Sequence, residues 1–130
     1  MFPDRATPIL VVEDYKTMAR IMRNLLVGSG FGDVDIASDG GMALEMIAAK
    51  RYGLVLSDWN MAPMTGIELL RRIRRIPSAA NTPFIIVTAE RQDENIRAAR
   101  AAGVDGYLVK PFDGATLKAK MEDAFAARAA

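Results

Sequence analysis

"PILVVEDYKTMARIMRNLL" (residues 8–26) sets an unbroken apolar run against two acids and then a helical stripe. The run is too short for a helix and has no polar alternation, which predicts a strand buried on both faces near residues 8 to 12. Beyond the acids, Met18, Ile21, Met22, Leu25 and Leu26 recur at i, i+3, i+4, i+7 and i+8, the spacing that buries one face of a helix. The unit repeats along the chain. Further strands are expected near residues 33–37, 53–57, 83–88 and 105–109, and further helices over "GGMALEMIAAK", "TGIELLRRIRR", "QDENIRAARAAG" and "GATLKAKMEDAFAARAA". Strict alternation of strand and helix predicts an α/β fold, a doubly wound parallel sheet with helices on both faces. "PILVV", "LVL" and "PFIIV" are apolar throughout and read as central strands. "DVDIAS" alternates and "DGYLVK" is mixed, so these read as edges. The expected strand order is 2-1-3-4-5, a flavodoxin-like five-stranded sheet flanked by five helices.

Half of the 130 residues are apolar, enough for one sizeable core and too few residues for two. The expected organisation is an N-terminal tail over residues 1–7 and one domain over residues 8–130. A net charge of +1 gives no field that would draw the chain to nucleic acid or to a membrane surface. No apolar stretch is long enough to span a bilayer and no secretory signal precedes the first strand, so a cytoplasmic location without membrane insertion is expected. Cysteine and histidine are absent, which leaves carboxylates, hydroxyls and amines to do any chemistry.

Those groups collect where open parallel sheets bind ligands, at the carboxyl ends of the strands. The first strand runs into Glu13 and Asp14, the third into Asp58, the fourth into Thr88 and the fifth into Lys110 and Pro111. Each has an ordinary reading alone. Asp14 suits a helix N-cap, Asp58 a turn, Lys110-Pro111 the punctuation before a helix, and Thr88 and Tyr107 unremarkable strand positions. Their concentration at four strand ends has no such explanation. Three carboxylates at one edge must take up protons or recruit a cation, and an oxygen-only donor set favours Mg²⁺. Asp58 is then a candidate nucleophile toward phosphorus, with Thr88 and Lys110 available to the phosphoryl oxygens.

"VVEDY", "SDWNMAPMTG", "VTAE" and "GYLVKPF" resemble the signature segments of CheY-like response-regulator receiver domains, and the resemblance covers nearly the whole chain. It implies Asp58 as phosphoacceptor, with Glu13, Asp14, Asp58 and the backbone carbonyl of Asn60 around Mg²⁺. It further implies Thr88 and Tyr107 as a switch pair, Lys110 against the phosphoryl group, Asn60 and Glu90 as tuners of dephosphorylation, and a cis peptide bond before Pro111. The implied partners are a histidine kinase or histidine phosphotransfer protein as donor and an output target protein. Trp59 and Tyr107 make the flagellar chemotaxis regulators the most similar subgroup, so the flagellar motor switch is the expected target, with a phosphorelay or phosphate sink as the second reading. Output is expected from the receiver surface itself, since no DNA-binding domain is foreseen. The sequence departs from the family pattern at Glu13-Asp14, where many members have two aspartates, at Ala62-Pro63, where the proline falls one residue late, and at Thr65, a frequent acidic position.

Two other features invite alternatives. "GSGFG" at residues 28–32 follows a helix and not a strand, so a helix stop is expected in place of a dinucleotide loop. "RRIRR" at residues 71–75 reads as a solvated basic face, with a nucleotide or second-messenger site there, or at Arg91, Arg97 and Arg100, as a rival. An aspartyl-phosphate phosphohydrolase of the haloacid-dehalogenase kind is disfavoured, because the general acid two residues beyond its nucleophile is here Asn60.

Overall fold

The computed structural model describes residues 4–89 and 93–129. Strands β1 (Ile9–Val12), β2 (Val34–Ala37), β3 (Leu54–Asp58), β4 (Phe84–Thr88) and β5 (Gly106–Val109) alternate with helices α1 (Lys16–Gly28), α2 (Gly40–Ala49), α3 (Gly66–Arg74), α4 (Asp93–Ala101) and α5 (Gly114–Ala129). The strands form one parallel sheet in the order β2-β1-β3-β4-β5, as the apolar patterns predicted. Every residue of β1, β3 and β4 is buried, whereas β2 and β5 are partly exposed. The fully apolar strands are thus central and the mixed ones lie at the edges.

Alternate strand positions face opposite layers. Leu10, Val12, Val55, Phe84 and Ile86 pack with Ala43 and Ile47 of α2, Leu69, Leu70 and Ile73 of α3 and Ala99 of α4. Ile9, Val11, Leu54, Leu56, Ile85, Val87 and Leu108 pack with Met22 and Leu26 of α1 and Leu117, Met121 and Ala124 of α5. Helix α1 ends as the glycines foretold. Gly30 takes φ +100, its amide bonds the Val27 carbonyl at 2.9 Å, and the Phe31 amide bonds the Leu26 carbonyl at 3.1 Å. This is the paired C-terminal motif that glycine permits, with Phe31 buried beneath it. Arg5 donates to the Ser29 carbonyl and lies 5.4 Å from the centre of the Phe31 ring.

The basic cluster of α3 is only partly a solvated face. Arg71, Arg72 and Arg75 are exposed, but Arg74 is half-buried and donates to the carbonyls of Thr82 (2.6 Å) and Gly103 (2.9 Å) and to the Asp105 carboxylate (2.9 Å). Asp105, whose side chain is 6% exposed, also accepts from Arg128 Nε at 2.7 Å and from the Phe84 amide at 2.9 Å. These bonds tie α3, α5 and the starts of β4 and β5 together at the amino edge of the sheet. That edge is opposite to the one where the strand-end acids lie.

Candidate functional site

Parallel strands in register bring their last residues to one edge, and the register of β1 with β3 and of β3 with β4 sets the spacing. The backbone continues the pairing past the strands. Glu13 N–H bonds Ala37 O at 3.0 Å, Trp59 N–H bonds Val87 O at 2.9 Å, and Lys110 N–H bonds Thr88 O at 2.7 Å. Each carboxylate or amine therefore leaves a rigid strand end. Glu13, Asp14 and Asp58 come together there, with one oxygen of each within 4.8 Å of the others. Lys110 Nζ lies 3.1 Å from Glu13 Oε1 and 3.1 Å from Asp58 Oδ1.

Burial divides the acids. Glu13 and Asp58 are buried, 2% and 5% exposed, whereas Asp14 is exposed. Asp14 is not the cap of α1, whose N-cap is Tyr15 without a side-chain bond. Burial, and then the negative charge of Asp58, push the Glu13 carboxyl above its usual range, and the bonds from Lys110 and the Tyr15 amide only partly offset them. Burial opposes the Lys110 ammonium, but its hydrogen bonds to and attraction for Asp58 and Glu13 prevail and leave its pKa raised. Three carboxylates and one ammonium leave an excess of two negative charges when all are ionised. A hard divalent cation with free coordination positions fits that donor set.

The Glu13 shift has a consequence for stability. A carboxyl whose folded pKa exceeds its unfolded value holds its proton longer in the native state, so stability falls as pH rises between the two values and the ionised group is a liability above them. Glu13→Gln should therefore raise stability at pH 7 without Mg²⁺. Urea titrations should show the gain shrinking as pH is lowered through the glutamate range. An unchanged or lower stability at pH 7 would contradict this electrostatic account.

The loop after β3 is shaped by Gly66. A Cβ there would sit 2.3 Å from the Asp58 carbonyl oxygen, so α3 can begin against the end of β3 only because this position has no side chain. The Gly66 amide bonds Trp59 O at 3.0 Å and closes the loop. Thr65, the departure from the acidic pattern, is the N-cap of α3. Its hydroxyl oxygen accepts from Glu68 N–H at 3.3 Å and lies 3.2 Å from Glu68 Oε1, the Thr-x-x-Glu pairing that satisfies a helix start. Both Ala62-Pro63 and Lys110-Pro111 are cis, the second as the resemblance implied and the first unforeseen. Asn60 is exposed in this loop.

Thr88 is buried at the end of β4, and Tyr107 is half-buried on adjacent β5. Both occupy strand positions of the α2–α3–α4 face, whereas Glu13, Asp58 and Lys110 share the parity of the α1–α5 face. The Tyr107 ring meets Trp59 edge-on, with centroids 6.4 Å apart at 69°. The tryptophan next to Asp58 thus touches the tyrosine expected to act with Thr88. Tyr107 also lines a groove of about 460 Å³ with Lys110, Phe112, Thr116 and Lys120. Glu90, like Arg91, lies outside the described residues.

Residues 9–122 match the response regulator receiver domain family. The chain is 45% identical over 117 residues to the chemotaxis protein CheY-3 of Vibrio cholerae, covering 90% of each chain. Among solved structures, chemotaxis protein CheY4 of Vibrio cholerae superposes with a TM-score of 0.86 at 30% identity, over 91% of this chain and 98% of that one. The receiver domain of a Pseudomonas aeruginosa sensor histidine kinase, solved with a magnesium ion coordinated in its active-site cleft, gives 0.84 at 26% identity over 93% and 98%.

Proposed function

Since the chain belongs to the response regulator receiver domain family, a family of signalling modules and not of classical enzymes, we propose that Asp58 is its phosphoacceptor. The observation that carries this reading is the placement of a buried carboxylate at the end of β3 with two further acids and an ammonium around it. An Asp58 oxygen attacks the phosphorus of a phosphohistidine on a histidine kinase or phosphotransfer protein. The P–O bond forms as the P–N bond breaks, and the imidazole leaves with a proton from water. Lys110, already 3.1 Å from Asp58 Oδ1, pairs with a phosphoryl oxygen, and the Thr88 hydroxyl donates to another. Glu13, Asp14, Asp58 and the Asn60 carbonyl are the proposed holders of Mg²⁺, which when bound neutralises phosphoryl oxygens during the transfer. Asn60 and Glu90 then set how readily water reaches the acyl phosphate.

The output reading follows from the same groups. Drawing Thr88 toward the phosphoryl group vacates space beside Tyr107, whose ring is half-buried against Trp59, and a change in that ring alters the groove along β5 and α5. The relatives' names support chemotaxis as the pathway, and the target proposed for it is a flagellar motor protein. The test of the metal is direct. Labelling by acetyl phosphate should need Mg²⁺ and fall at least about a hundredfold in EDTA, and Trp59 fluorescence should report metal binding. Equal labelling in EDTA would remove the metal from the mechanism.

A further inference from the structure

The amino edge of the sheet holds a cavity that the phosphoryl chemistry does not use. It measures about 180 Å³ and lies between the end of α2 and the turn after α3, with Tyr52, Val55, Ile73 and Ala79 as its buried lining. One wall is fixed in place. The Tyr52 hydroxyl donates to Asp35 at 2.6 Å, and Lys50, whose Nζ lies 5.3 Å from the centre of the Tyr52 ring, bonds Asp33 at 2.8 Å and Asp35 at 3.0 Å. Both aspartates are thus occupied, and neither lines the cavity. The charged side chains that do line it are Lys50 and Arg51, and no carboxylate joins them among the described residues. Arg51 is exposed and makes no ion pair among the described residues. Arg72 adds a second exposed cation on the same side. Arg74 reaches Gly103 from the α4 flank of α3, and a separation of two helical residues, about 200°, turns Arg72 to the opposite flank, toward α2.

We propose that this cavity binds a small aromatic carboxylate, with its ring against Tyr52, Val55, Ile73 and Ala79 and its carboxylate on Arg51. Size selects the ring. An apolar cavity of about 150 Å³ holds one benzene, so about 180 Å³ accepts a single six-membered ring and excludes a nucleoside. Charge selects the head group, because a guanidinium fork pairs with both oxygens of a carboxylate. A monoanion suits the site better than a phosphate dianion, since the carboxyl ends of α2 and α3 bring partial negative charge to the same edge. Ser78 and Thr82 also line the cavity and offer hydroxyls to a polar ring substituent. The inference is independent of the acceptor assignment, because Asp58 ends β3 at the opposite edge of the sheet.

Titration of the full chain with sodium benzoate, followed by methyl and amide NMR, tests the site, with benzyl alcohol, benzylamine and acetate as companion probes. Benzoate should shift the resonances of Ile47, Val55 and Ile73 saturably, with a Kd of about 1 mM. Benzyl alcohol should bind about fivefold more weakly, and benzylamine and acetate should give no saturable shift. Arg51→Gln, an exposed change that leaves the fold intact, should weaken benzoate about fivefold and leave benzyl alcohol unaffected. Ala79→Leu should fill the cavity and abolish binding of both, with resonances remote from the cavity reporting that the variant is folded. If that variant does not fold, Arg51→Gln decides. The assignment is overturned if benzoate gives no saturable shift up to about 20 mM, or if its shifts centre on the groove beside Tyr107. It also falls if benzyl alcohol or benzylamine binds the wild type as tightly as benzoate, if Arg51→Gln keeps wild-type affinity, or if folded Ala79→Leu still binds.

Discussion

Asp58→Asn is expected to abolish phosphoryl incorporation from acetyl phosphate, from about one group per chain in the wild type to none detectable. An amide of the same shape keeps the side-chain oxygen that Lys110 Nζ bonds, so the fold and the neighbouring groups should persist. What is lost is the anionic oxygen that attacks phosphorus. Neither remaining acid is an equivalent substitute. Glu13 is buried, bonded to Lys110 and to the Tyr15 amide, and holds its proton more readily than an ordinary glutamate. Asp14 is exposed, and its carboxylate is not the one that Lys110 bonds. Intact-mass measurement on both proteins after incubation with Mg²⁺ reads the outcome, and circular dichroism confirms that the variant is folded.

Asp105→Ala should lower stability by about 3–5 kcal/mol, as much as truncating a large core side chain. It removes the acceptor shared by Arg74, Arg128 and the Phe84 amide and leaves two guanidinium groups facing each other, one of them half-buried and already depressed in pKa by burial and by its neighbour. Set against a total of about 5–15 kcal/mol for a domain of this size, the variant should be only marginally folded. Asp33→Ala is the matched control, because its ion pair with Lys50 is exposed and should contribute little. Equilibrium urea unfolding of the two variants should separate them clearly. Similar midpoints would show that the Asp105 network is ornamental.

The legible parts of this molecule were those written in local periodicity. The apolar run before Glu13 and the stripe from Met18 to Leu26 define a strand and a helix by themselves, and differences in strand polarity placed β2 and β5 at the edges. The acids at the strand ends were visible because a parallel sheet necessarily gathers them at one edge. Arg74 was misread as one more surface arginine because its partners lie 8, 29 and 31 residues away and no spacing rule connects them. Asp105 was overlooked for the same reason. Thr65 was noted as a departure, although its helix-capping role could have been read from Glu68 three residues on. The Trp59–Tyr107 contact depends on the pairing of β3 through β4 to β5, which the strand order implies but which does not fix the two rings.

If Asp58 is the acceptor, one carboxylate alone receives the phosphoryl group. Reduction of the freshly labelled wild-type protein with borohydride converts an aspartyl phosphate to homoserine, which peptide mass spectrometry locates without any substitution. Homoserine is expected at position 58 alone; the modification at Glu13 or Asp14, or spread over several acids, would contradict a single acceptor.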